Sequence, residues 1–175
     1  MADTLTSRAP ALRVRMAVFV YEGLMLFGVL MLVALVYGIA TQQTHALHGK
    51  LGLQLSCFAA IGLYFAYFWC RGGQTLPMQT WRVRLLRASD LGPVTARQAL
   101  TRYLLAWMWF LPGLTVAYLA GWHSSSAVSL ALSVNVLAVA LASRLHPQGQ
   151  FWHDALAGTV LVRLPKPEPR PKAPR

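Results

Sequence analysis

The sequence predicts an all-α integral membrane protein with four transmembrane helices, and three observations support this fold class. The 175 residues are 56% hydrophobic and only 12% charged, whereas soluble domains have about 25% charged residues. Four apolar segments are each close to the roughly 20 residues that cross a bilayer core. The basic residues cluster on one of the two sides that these segments define.

The four predicted helices cover about residues 16–40, 51–70, 96–120 and 127–143 of a membrane domain that runs from 13 to 164. Fifteen of the 16 Lys and Arg residues lie before the first helix, from the end of the second to the start of the third, or after the fourth; Lys50 alone lies in the first loop. Short cytoplasmic loops concentrate basic residues. We therefore expect both termini in the cytoplasm. Fusing the last two segments into one span would place the basic tail across the membrane.

The net charge of +11 belongs to this basic side. Anionic lipid headgroups are the expected partner, because each basic residue near them contributes about 1 kcal/mol. No nucleic-acid-binding module, nucleophile motif or phosphate-cradling loop is recognisable, so we expect no nucleic-acid partner, no enzyme activity and no cofactor. His45, His48 and His123 share the outer side, but no carboxylate or cysteine joins them, so no metal site is predicted.

The first helix carries one acid. Residues 1–12 are polar and are expected to be a loose lead-in. Arg13 and Arg15 then open an apolar run that is interrupted by Glu22 about two turns inside. A carboxylate on a lipid-spanning helix is costly, so it is by default a candidate functional residue that requires a partner.

The second helix ends in an aromatic run at Arg71, and the loop after it begins with a turn at 72–77. Residues 81–87 then alternate apolar and basic side chains, as a strand does, until Leu86. The Asp90–Pro93 turn follows. We expect either a short hairpin lying on the bilayer or an amphipathic interfacial helix.

Thr95 is a good N-cap for the third helix and would place Arg102 at a depth similar to that of Glu22. Pro112 lies in the middle of that helix and should kink it unless neighbours bond the freed carbonyl. The fourth helix carries Asn135, which we expect to bond a neighbouring helix.

After Arg144, residues 151–162 are too short to span and are expected at the interface or between helix ends. The tail at 165–175 is Pro-rich and basic, a composition typical of disorder.

In this order the residues resemble the RDD family of small bacterial membrane proteins, named for one arginine and two aspartates. The resemblance covers roughly 13–164 and implies a location in the bacterial cytoplasmic membrane. The matching residues are Arg15, Glu22, Gly73, Gln74, Thr75, Leu76, Arg102, His153, Asp154, Ala157, Gly158 and Thr159. Glu22 stands where the family has its first aspartate, and Pro77-Met78 where it usually has Gly-Lys.

Two functions agree with these residues. In the first, the charged cluster Arg15, Glu22, Arg102 and Asp154, with Arg144 as a further candidate, locks a bundle that serves as a structural or interaction subunit of a membrane complex or a homo-oligomer. In the second, Glu22 and Asp154 form an ion- or proton-coupled transport site. The resemblance suggests transport without establishing it.

Overall fold

The structure is a computed structural model that describes residues 9–42 and 50–165. Its helices are α1 (Leu12–Ala40), α2 (Lys50–Arg71), α3 (Leu76–Thr80), α4 (Ala96–Ala106), α5 (Leu111–Leu119), α6 (Ser125–Ala142) and α7 (Trp152–Leu156), and its strands are β1 (Val83–Arg87) and β2 (Thr159–Arg163). Short 3₁₀ turns follow α4 at Trp107–Trp109 and α6 at Ser143–Leu145. Most of segment 1–12, the His45 and His48 pair and most of the tail lie outside the described residues.

Within residues 9–42 and 50–165, three helices are long and apolar enough to cross a membrane: Leu12–Ala40, Lys50–Arg71 and Ser125–Leu145, with mean hydropathies of 2.4, 1.6 and 1.9. Large apolar side chains stand out along their surfaces, such as Phe27 at 67% exposed and Leu63 at 72%. In water such an apolar exterior would be unstable, but hydrocarbon is the solvent it matches. The chain is therefore a mostly helical membrane protein.

The segment predicted as one helix over 96–120 is divided into α4, a 3₁₀ turn and α5. Pro112 is the cause, because it has no N–H to donate to the carbonyl of Met108 and its ring disturbs the preceding turn. The side chain of Asn135 on α6 donates instead to the carbonyls of Met108 and Trp109, at 3.2 and 2.7 Å. The kink and the interhelical bond of Asn135 thus occur together.

The fold is not purely α-helical. For residues 81–93 the expected amphipathic helix is wrong, and the expected hairpin is right in its first strand and its turn but wrong in its second strand. Val83–Arg87 is a strand, not an amphipathic helix, but its antiparallel partner is β2 rather than the chain just after it. The Asp90 turn forms, with Gly92 donating to the carboxylate at 3.1 Å. Pro93 cannot donate to a ladder, and Thr95 already caps α4, so no return strand follows.

Side chains and turns close both edges of this two-stranded sheet. The N–H of Leu85 donates to the carbonyl of Gly73 at 2.7 Å, and Gln74 donates to Val83 at 2.8 Å. On the other edge, the amide of Gln150 accepts from and donates to the backbone of Leu161, at 3.1 and 3.0 Å. Sheet edges left open pair with other chains. The sheet, α3 and α7 form a compact unit at one end of the helices, which we call the cap.

Asn135→Leu is expected to lower the free energy of unfolding by about 1 kcal/mol, since the two carbonyls lose their donor inside the bundle. In a Pro112→Ala background the loss should shrink, because the new N–H can bond the Met108 carbonyl. Unfolding in mixed micelles measures both. Ser133→Leu, an exposed polar-to-apolar change on the same helix, is the control. If Asn135→Leu lowered the free energy of unfolding equally in the wild-type and the Pro112→Ala backgrounds, this explanation would be contradicted.

Candidate functional site

Glu22 is buried and held by two hydroxyl groups. Its Oε1 accepts from the Tyr64 hydroxyl at 2.8 Å, and its Oε2 accepts from the Thr75 hydroxyl at 2.6 Å. Tyr64 belongs to α2. Thr75 is the N-cap residue of α3, where its hydroxyl accepts from the N–H of Met78. The carboxylate therefore joins α1, α2 and the cap. Among the described residues no cation lies within 4.0 Å of it, so Glu22 makes no direct ion pair with Arg15 or Arg102, the arginines grouped with it in the predicted cluster.

Arg102 and Asp154 form a direct buried ion pair. The Nε of Arg102 lies 2.6 Å from Oδ1 of Asp154, and their side chains are 10% and 0% exposed. The guanidinium carbon also sits 4.1 Å from the ring centroid of Trp69, a cation–π contact. The Thr159 hydroxyl donates to the backbone carbonyl of Asp154 at 3.0 Å, which fixes the end of α7. This pair ties α7 to α4, and Trp69 extends it to α2.

His153 completes the surroundings of Asp154. Its Nε2 lies 3.2 Å from the same Oδ1, while its Nδ1 accepts from the indole N–H of Trp109 at 3.4 Å. Burial lowers the pKa of His153 to about 4, and Arg102 and Arg15 act in the same direction, although Asp154 opposes them. The ring is therefore neutral at neutral pH, and its Nε2 faces the Asp154 carboxylate.

Arg15 is buried at 6% exposure but makes no ion pair among the described residues. Its Nη2 donates to the Ser143 hydroxyl at 3.2 Å, and its guanidinium carbon stacks 4.0 Å from the ring centroid of Phe151. Within the described residues Nε and Nη1 have no hydrogen-bond acceptor. Arg144 is exposed and does not join the cluster.

The motif glycines Gly73 and Gly158 lie in turns of the cap that require a left-handed backbone. Gly73 has φ of +69°, and a Cβ there would lie 2.5 Å from the Leu85 carbonyl oxygen. Gly158 has φ of +65°. Its carbonyl accepts from Ala88 and from the Gln98 side chain, both at 3.0 Å. These positions build the cap rather than a reactive centre.

A cavity of about 450 Å³ lies where α1, α2 and α4 meet, and Arg15, Glu22, Arg102 and His153 all line it. Its other walls are almost entirely apolar. No group of three or more His, Cys, Asp or Glu side chains suited to a metal occurs among the described residues. The site thus combines two buried acids, two buried arginines and an apolar chamber.

Sequence reasoning identified both acids and both arginines but missed four residues that contact them: Tyr64, Trp69, Ser143 and Phe151. It also missed Gln150, which bonds the backbone of Leu161 in β2. Tyr64 lies in an aromatic run typical of a headgroup belt, and nothing in its spacing connects it to Glu22. Gln150 lies in a polar break typical of a loop. The one available signal was depth: Glu22 and the aromatic end of α2 are expected at a similar depth in the membrane, which could have suggested Tyr64 as a hydrogen-bond donor to Glu22.

The family comparison agrees with the resemblance. The profile described as RDD family matches residues 9–158, which is most of the chain. Neither a curated protein nor a solved structure matches the chain.

The ion pair can be tested with a double-mutant cycle. Asp154→Leu or Arg102→Met alone should lower the free energy of unfolding by about 3–5 kcal/mol, because each leaves a buried charge without its partner. The double variant should lose much less than the sum. Unfolding in mixed micelles gives all four values, and strict additivity would contradict a direct pair.

His153 predicts a pH dependence of stability. The unfolded chain binds its proton near the ordinary pKa of 6.5, whereas the folded chain binds it only near about 4. Stability should therefore be complete above pH 6.5 and fall as the pH drops toward 4, by up to about 1.4 kcal/mol per pH unit. His153→Gln should flatten this slope relative to wild type. An unchanged slope would contradict the assignment.

Proposed function

This chain belongs to the RDD family, and from that premise we propose that it is a structural or interaction subunit of a membrane complex. In this proposal Arg15, Glu22, Arg102 and Asp154 lock the bundle and its cap together and do not conduct ions. The partner is another membrane protein or a second copy of the chain. The exposed arginines at this end of the protein, among them Arg84 of the cap and Arg97 in the first turn of α4, meet anionic headgroups.

The observation that carries the proposal is that the protein itself supplies donors to three of the four oxygens of its two buried acids. Both oxygens of Glu22 accept hydroxyl hydrogen bonds, and Oδ1 of Asp154 accepts from Arg102, with Nε2 of His153 3.2 Å away. A transport carboxylate must exchange its ligands with a substrate, which costs more when every ligand is a packed side chain. The two acids also join different pairs of elements, which is what an architectural role requires.

The finer topology is part of the same proposal. The kinked α4–α5 segment is the third of four spans, because α5 packs against α6 and a short loop at 120–124 joins them. Both termini and the cap then lie on the cytoplasmic side of a bacterial inner membrane. The location of 15 of the 16 basic residues supports this orientation.

One observation favours the second candidate, an ion- or proton-coupled transporter that uses Glu22 and Asp154. The cavity of about 450 Å³ reaches Glu22, Arg102 and His153. Asp154 lies behind this lining, and its Oδ2 has no hydrogen-bond partner among the described residues. A conformational change that opened the Arg102–Asp154 pair would give a substrate cation access to a carboxylate.

Glu22→Gln tests the two functions in one experiment. Under the structural proposal, proteoliposomes of wild type and of the variant show the same background Na⁺ and H⁺ flux, and the variant is less stable or retains less partner on affinity purification. Wild-type flux that disappears in a folded Glu22→Gln variant would establish transport instead.

Thr75→Val is the matched control, because it removes one hydrogen bond of Glu22 and leaves the charge in place. An architectural Glu22 predicts losses of stability and partner in both variants. A transport role predicts lost flux only when the carboxylate changes. Glu22→Asp should also destabilise, since the shorter side chain cannot reach both hydroxyls.

A further inference from the structure

The cavity has the size and position of a ligand site. At about 450 Å³ it falls within the roughly 300–1,000 Å³ of ligand pockets. It is bounded by α1, α2 and α4, and α2 packs against the other two. Its walls include eight Phe, Tyr and Trp side chains, among them Trp69, Trp107 and Trp109. Apolar walls around empty space lose dispersion contacts, so an apolar occupant stabilises them.

The cavity reaches the lipid-facing surface of the protein. Val20 and Phe110, which also line it, are 58% and 39% exposed. They belong to α1 and to the start of α5, so the outer margin of the cavity lies between these two segments. α1 crosses the membrane, and the molecules at this margin are therefore acyl chains. A chain of this kind can enter sideways without crossing water.

The end of the cavity near the cap has unused hydrogen-bond donors. Arg15 lines the cavity, is 6% exposed, and has no carboxylate within 4.0 Å among the described residues. Its Nη2 donates to Ser143, but Nε and Nη1 have no acceptor there. A buried charged donor without an acceptor is costly, and an anionic oxygen satisfies it with a strong, charge-assisted bond.

From this geometry we propose that the cavity binds a single-chain anionic amphiphile from the bilayer. Its acyl chain lies among the aromatic walls, and its carboxylate or phosphate headgroup accepts hydrogen bonds from Arg15. This goes beyond the structural role proposed above and does not depend on it.

Glu22 does not oppose this anion directly. It lies seven residues from Arg15 on the same helix, about 10.5 Å along the axis, and both of its oxygens are bonded to Tyr64 and Thr75. Arg102, the second arginine in the lining, is already paired with Asp154 at 2.6 Å. Arg15 is therefore the arginine of the lining that has no carboxylate within 4.0 Å among the described residues.

Quenching of tryptophan fluorescence tests the proposal, because Trp69, Trp107 and Trp109 line the cavity. The full chain in phosphatidylcholine nanodiscs is titrated with dibrominated stearic acid, whose bromines quench nearby indoles. We expect saturable quenching, and much weaker quenching by the matching dibrominated alcohol, which lacks the charge. Equal, unsaturable quenching by both would show simple partitioning and overturn the proposal.

Two glycines of α1 provide a matched pair of variants. A Cβ at either Gly23 or Gly28 meets nothing within 4 Å, but only Gly23 lines the cavity. Gly23→Leu should fill the site and weaken binding by about tenfold or more, which is about 1.4 kcal/mol. Gly28→Leu should bind as wild type does. Equal affinity of both variants would overturn the proposal.

Arg15→Gln tests the headgroup contact and should abolish the difference between the acid and the alcohol. If this variant does not fold, the glycine pair still decides the question, since neither substitution touches a buried polar group. Unlabelled stearate and unlabelled lysophosphatidate are then each used to compete with the dibrominated stearic acid. The stronger competitor identifies whether the site prefers a carboxylate or a phosphate headgroup. Failure of both to compete overturns the proposal.

Discussion

The buried pair between Arg102 and Asp154 determines how the cap sits on the helices. Removing two charges from water costs several kcal/mol for each ion, and only close geometry with further bonds compensates for it. Here the 2.6 Å contact, the bond to His153 and the stacking of Arg102 on Trp69 supply that geometry. Because Asp154 lies in α7, directly before β2, the position of the sheet follows from the pair.

The second acid solves the same physical problem differently. Glu22 uses two neutral hydroxyls, one from α2 and one from the turn that caps α3. Hydroxyl donors satisfy a carboxylate without adding a second buried charge, so α1 can keep its acid near the membrane interior. The two acids therefore attach different parts of the cap to the helices: Glu22 bonds the turn before α3, and Asp154 attaches α7.

The three long helices α1, α2 and α6 and the charged residues could be predicted from the sequence because each has a local signal. An apolar run of about 20 residues predicts a transmembrane helix. An isolated charge within such a run, such as Glu22, indicates a buried partner because a carboxylate exposed to lipid is unstable. The pairing of β1 with β2 had no such signal, since Val83 faces Arg163 across 80 positions of sequence. Tyr64 was missed because an aromatic residue at the end of a transmembrane helix is usually part of the aromatic belt at the headgroup level. The Pro112 kink was predictable, and the Asn135 bond that accompanies it fits the general rule for polar side chains in bundles.

The strand pairing also has a consequence for the order in which the protein is made. Ribosomes release the N-terminal part first, so α1, α2, α4 and α6 are synthesised before Asp154 and β2 exist. Until then Arg102 has no carboxylate partner, and β1 presents an open edge. The cap therefore closes only after these helices have been made, and Asp154 then supplies the carboxylate that compensates the buried charge of Arg102.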